Sequence, residues 1–114
     1  MGAEPTWAES VSWLKGLESV PAAHAVGELL AAAEREWSSR LTLRTSMHEA
    51  LLTRPRAEYP FSESLRVAWS DGVYQFTLSV DGAVRAADRC FKESALVVFD
   101  SFAVQLSGGD TPER

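Results

Sequence analysis

Two Asp-Gly dipeptides ten residues apart, Asp71-Gly72 and Asp81-Gly82, each divide runs that alternate apolar and polar residues, and they constrain this chain more than any other feature. A type I′ turn needs positive φ at both central positions, and Asp-Gly between alternating residues is a strong hairpin signal. Three strands follow, Leu65 to Ser70, Val73 to Ser79 and Ala83 to Arg89. A two-residue loop at Asp71-Gly72 sets Trp69 opposite Tyr74, Val67 opposite Phe76 and Leu65 opposite Leu78, all on one face. At the second turn such a loop would bring Arg85 and Arg89 onto that apolar face. Because register follows burial, a three-residue loop with Gly82 in a bulge is expected, setting Val84 opposite Leu78 and Ala86 opposite Phe76. The other face then shows Arg66, Ala68, Ser70, Val73, Gln75, Thr77, Ser79, Arg85 and Arg89, polar enough to meet water.

A sheet apolar on one side needs helices over that side. Phe91 to Leu106 supplies one, with Phe91, Ala95, Val98, Phe99, Phe102 and Leu106 on one stripe and Gly108 as its stop. Its back carries Leu96, Val97, Ala103 and Val104, interrupted by Glu93 and Asp100. That is more apolar surface than one sheet covers, so a further element or a second copy of the chain is expected there, with Leu96, Val97 and Val104 as anchors. The run Leu96-Val97-Val98 also admits a strand.

Upstream, Thr6 and Glu9 have capping-box spacing and open a helix from Trp7 to Ser19, with Trp7, Val11, Leu14 and Glu18 on one face and Trp13, Leu17 and Val20 on the next. Pro21 stops it and suits the first position of a second helix, which carries Val26, Leu30, Ala33 and Trp37 as its buried line. Beyond Ser38 several readings compete, among them a fresh short helix to Thr53 capped by Ser46 and Glu49. Leu41, Thr45, His48 and Leu52 continue a helix to Arg54, whereas Arg40 to Thr45 alternates as a strand does; the continuing helix is the expectation. Pro55 to Ser64 connects to the sheet, and Tyr59 and Phe61 within it are expected to pack over the core edge. The fold class is therefore α+β: N-terminal helices, a three-stranded antiparallel meander and a C-terminal helix, with the helices on one face. Residues 1–107 form a single domain and 108–114 a flexible tail.

With 46% hydrophobic and 24% charged residues, 114 residues suffice for one core. Nine arginines against two lysines, with many alanines, point to a GC-rich bacterial genome. A lone cysteine, Cys90, permits no internal disulfide and suits a reducing compartment, so the protein is expected to be cytoplasmic. No apolar run approaches the roughly 18 residues of a membrane span, and no signal-peptide pattern opens the chain.

Residue types for catalysis are present but not in catalytic patterns. Asp71 and Asp81 are explained by turns, Asp88 by helix capping, and Glu9 and Glu49 by capping; no carboxylate pair remains for acid and base work. His24 and His48 belong to no metal-binding pattern, although His24 and Glu28 form an i, i+4 pair. Cys90 precedes a helix between Arg89 and Lys92, which would lower a thiol pKa, yet no histidine lies nearby to act as base; a small buried residue is the simpler reading. No enzyme activity, cofactor or metal is expected.

Net charge is −5, but residues 35–56 hold five arginines and two glutamates while both flanks are acidic. Arg40 and Arg44 would align on one helix face, and with Arg54, Arg56, Tyr59 and Phe61 they make the candidate partner-binding surface. The expectation is a small acidic interaction protein, such as an immunity or antitoxin-like inhibitor, a chaperone or an adaptor, acting as a homodimer. The order of long helix, three strands and helix, together with Val73-Tyr74-Gln75-Phe76-Thr77-Leu78-Ser79-Val80-Asp81-Gly82, resembles the YbaB/EbfC family of small bacterial nucleoid-associated dimers over about half the chain. That resemblance implies an alternative, DNA binding through Arg40, Arg44, Arg54 and Arg56. A third is a small-molecule pocket between the helices and Trp69, Tyr74 and Phe76.

Overall fold

The computed structural model describes residues 6–108; the expected tail, apart from Gly108, lies outside the described residues. Two helices, α1 (Trp7–Gly16) and α2 (Pro21–Trp37), precede five strands, β1 (Thr42–Ser46), β2 (Glu49–Thr53), β3 (Glu63–Ser70), β4 (Val73–Val80) and β5 (Ala83–Cys90), and α3 (Lys92–Ser107) closes the chain. The strands form one antiparallel meander in sequence order. The α+β class and the one-sided helical cover are as expected; the sheet has five strands rather than three.

The two added strands replace the helix expected over residues 38–54. Helix α2 ends at Trp37, whose carbonyl accepts from both the Arg40 and Leu41 amides as the chain turns away. Leu41, Leu43, Ala50 and Leu52 are all buried, so the alternating pattern prevails over the helical one. The hairpin turns through Met47-His48, with Met47 at φ +58°. Neither residue is a usual turn former, which is why the hairpin is silent in the sequence.

Both Asp-Gly dipeptides are two-residue turns with positive φ at both positions. The first hairpin has the expected register, Trp69 with Tyr74, Val67 with Phe76 and Leu65 with Leu78. The second departs from it. No bulge forms at Gly82: Val80 pairs with Ala83 and Ser79 with Val84, and the extra residue is Arg85, after which Leu78 faces Ala86 and Phe76 faces Asp88. The I′ turn matches the strand twist, so the slip that keeps Arg85 and Arg89 out of the core is taken up inside the strand. Val84 is consequently exposed instead of facing the core.

On the inner face, Leu43, Leu52, Leu65, Leu78 and Ala86 form one row across all five strands. Helix α2 lies over β2 and β3, α3 over β3 to β5, and α1 over α2 and β1. The expected capping box starts α1: the Glu9 amide donates to Thr6 Oγ1 and the Thr6 amide to Glu9 Oε1. These bonds hold the Glu9 carboxyl below its ordinary pKa. Trp7 anchors α1 to the sheet, its indole N–H donating to the Leu41 carbonyl at 2.8 Å. Gly27 lets α1 and α2 approach closely; a Cβ there would lie 3.0 Å from both the Lys15 amide nitrogen and Leu14 Cβ.

The inner aromatics are engaged in packing. Phe76 stacks on Phe102 with centroids 5.8 Å apart, Phe99 meets Trp37 edge-on, and the Tyr74 hydroxyl donates to the Ala25 carbonyl at 2.8 Å. Burial, with Glu28 and Cys90 adding negative charge, pushes the Tyr74 hydroxyl up to about 12. An unfolded chain ionises this group near its ordinary value of 10, so between about pH 10 and 12 only the unfolded state loses the proton, and stability falls as pH rises through that window. Tyr74→Phe is expected to flatten this alkaline limb, about 1–2 kcal/mol of it, in urea denaturation series, while losing about 1 kcal/mol at neutral pH with the hydrogen bond. An unchanged alkaline slope would contradict the assignment.

Candidate functional site

The expected partner-binding residues do not form one helical patch, because Arg40 and Arg44 lie on a turn and a strand. The Arg40 guanidinium sits 4.1 Å from the centre of the Trp37 ring. Arg44, on β1, donates from Nη1 to Thr53 Oγ1 at 2.8 Å and lies over the Phe61 ring at 4.8 Å. Arg54 is a clasp for α3: its Nε donates to the Leu106 carbonyl at the helix C-terminus, where the dipole favours a cation, and lies 3.2 Å from Glu63 Oε2. Arg56 is exposed in the turn after β2, with φ +65°. Tyr59 and Phe61 contact each other edge-on, but they separate in burial. Phe61 is half-buried under Arg44, whereas Tyr59, expected to pack, is 86% exposed.

On α3, the anchors divide similarly. Helix α2 runs alongside and takes part of the apolar back: Ala103 is fully buried, and Asp100, a residue that reads as an interruption, is buried and accepts from the Trp37 indole N–H at 2.8 Å. Leu96 and Val104 are half-buried against the core, whereas Val97 is 73% exposed. Phe91, expected on the buried stripe, caps the helix and is 67% exposed, since β5 ends at Cys90 and the chain must turn there.

The residues considered for chemistry are separate. His24 donates from Nδ1 to the Lys15 carbonyl and stands 3.2 Å from Glu28 through Nε2, while His48 is in the β1–β2 turn. Among the described residues, no group of three or more His, Cys, Asp or Glu could hold a metal ion. Burial and the neighbouring Asp88 push the Cys90 thiol up, opposite to what an activated nucleophile needs. Asp88 does not cap α3; it is in β5 and accepts from the Arg89 amide. No helix among the described residues is long and apolar enough to cross a membrane.

What the fold does assemble is a sheet face that no helix covers, with Phe61 of the connector against Arg44 at its β1 end. The register puts Arg44, Leu51, Arg66, Thr77 and Ala87 in one row and Ala68, Gln75 and Arg89 in the next. Arg66 Nη1 meets Glu49 Oε1 at 2.6 Å on this face. Alternation identifies these outward residues from the sequence in β3 and β4, but the place of Arg44 among them depends on a hairpin the sequence conceals. Comparison with protein-family models, with curated proteins and with solved structures found no match. The element order, two helices, five strands and a helix, also differs from the order on which the YbaB/EbfC resemblance rests.

Proposed function

We propose that the protein is a non-catalytic interaction module, of the kind used as immunity or antitoxin-like inhibitors, chaperones or adaptors, and that it acts as a homodimer through the outer side of α3. The observation that carries this reading is the exposed Val97, seven residues before the half-covered Val104 and beside Leu96, on a helix whose other apolar residues are already packed. Residues seven apart share a helix face, so two antiparallel copies of α3 would set Val97 of each against Val104 of the other across a two-fold axis. A single helix pair buries less than the roughly 800 Å² per partner of a stable interface, which gives a weak, concentration-dependent dimer.

Sedimentation velocity on the intact protein, from low micromolar to millimolar, tests it. The expected result is a dimer that grows in with concentration and is lost in Val97→Asp, whose melting temperature stays near the parent's because Val97 lies outside the core. A monomer at every concentration, unaltered by Val97→Asp, would remove the homodimer.

A further inference from the structure

We propose that the uncovered face of the sheet is a docking surface for an acidic protein surface. The inference rests on the reading of the chain as an interaction module, but not on its self-association through α3. Charge on this acidic chain is unevenly divided between its layers. The three helices carry Glu9, Glu28, Glu34, Glu36 and Glu93, with Asp100 buried, against Lys15, Arg35 and Lys92. The outer rows of the sheet carry Arg44, Arg66 and Arg89 with Glu49 among them, and Asp88 lines the groove beside Gln75, Thr77 and Arg89. Strands lie about 4.8 Å apart, so Arg44 and Arg66, two strands apart, stand about 10 Å from each other at the backbone.

Leu51 stands between Arg44 and Arg66, and the side chains between Arg66 and Arg89 are short. Thr77, Ala68 and Ala87 keep the face flat enough for close approach, and Gln75 adds a donor and an acceptor. Two of the arginines are pre-positioned, Arg44 by Thr53 and the Phe61 ring and Arg66 by Glu49, which lowers the ordering cost of meeting a carboxylate. Three strands of eight residues and two of five offer roughly 500 Å², below the standard interface, so the complex is transient and salt-sensitive.

Other occupants fit less well. A second copy placed sheet to sheet would oppose arginine to arginine. Single-stranded nucleic acid needs a series of aromatic stacking platforms, and the two rows contain none; the aromatics beside them, Phe61 under Arg44 and Tyr59 against Phe61, stand at the β1 end alone. Duplex DNA is held through many phosphate contacts, and three arginines beside a glutamate supply few.

The test is an amide-shift titration of the intact protein in low salt with two probes, poly-L-glutamate and a short duplex DNA. Poly-L-glutamate is expected to move the amides of Arg66, Gln75, Thr77 and Arg89 saturably and to be displaced by roughly half-molar salt. The double variant Arg66→Gln/Arg89→Gln is expected to weaken binding at least about tenfold. Thr77→Glu, which keeps every arginine but puts a carboxylate between them, is expected to do the same, and both variants to keep the parent's dimerisation in sedimentation. Absence of shifts, shifts centred on Lys15, Arg35 and Lys92, or tighter binding of the duplex at the same face would each overturn the proposal.

Discussion

Replacing Trp37 by alanine is expected to remove about 4 kcal/mol of stability, the largest loss anticipated from any single side chain here. Trp37 is fully buried, meets Phe99 edge-on at 6.4 Å, carries the Arg40 guanidinium on its ring and donates to Asp100. It therefore joins α2, the start of β1 and α3 at one point. Truncation opens a cavity among these elements and takes a donor from a buried carboxylate, two costs that add. Trp37→Phe separates them: it keeps most of the volume and loses the N–H, with an expected cost of about 2 kcal/mol. Thermal unfolding reads both, at roughly 4 °C per kcal/mol for a domain of this size. Equal losses in the two variants would mean that the cavity contributes nothing.

Gly27→Leu is expected to cost on the order of 3 kcal/mol, although leucine is the better helix former. The reason is steric. The Cβ would meet the Lys15 amide nitrogen and Leu14 Cβ at 3.0 Å, and neither can retreat: one is backbone and the other belongs to a side chain in the core. Helix α1 would have to lift from α2, weakening the anchorage of Trp7 on Leu41. Gly27→Ala makes the same Cβ contacts without the further bulk of the leucine side chain and gains about 1 kcal/mol of helix propensity, so its net loss is expected to be smaller, about 1–2 kcal/mol. Should Gly27→Leu melt with the parent, the close packing of α1 on α2 would be refuted.

These two residues also show what the sequence displays and what it hides. The helix around Gly27 reads clearly from Val26, Leu30, Ala33 and Trp37, and a mid-helix glycine signals that something demands it; which neighbour demands it is a tertiary fact. Asp71-Gly72 is legible because the turn chemistry and the alternation agree. Met47-His48 is not, because an exposed methionine with positive φ carries no turn signature, and with that turn missed β1 and β2 vanish into an extended helix. At Asp81-Gly82 the burial argument identifies the need for an extra residue, but not that Arg85 would be it. Asp100 looks like a polar break in an apolar helix and proves to be the partner of a tryptophan 63 residues away. Of the surface residues, Val97 is recognisable from helical periodicity alone. Arg66 and Arg89 are identifiable as outward-facing, but the sheet face they share with Arg44 emerges only when five strands are in register.

The two proposed surfaces are the outer stripe on α3 and the cationic sheet face. Affinity capture from cells of the native host, with the parent, Val97→Asp and Arg66→Gln/Arg89→Gln proteins side by side, addresses both surfaces most directly. The arginine double variant is expected to lose acidic protein partners while still recovering its own second copy, and Val97→Asp to lose the second copy alone. Identical recoveries from all three baits would contradict both proposals.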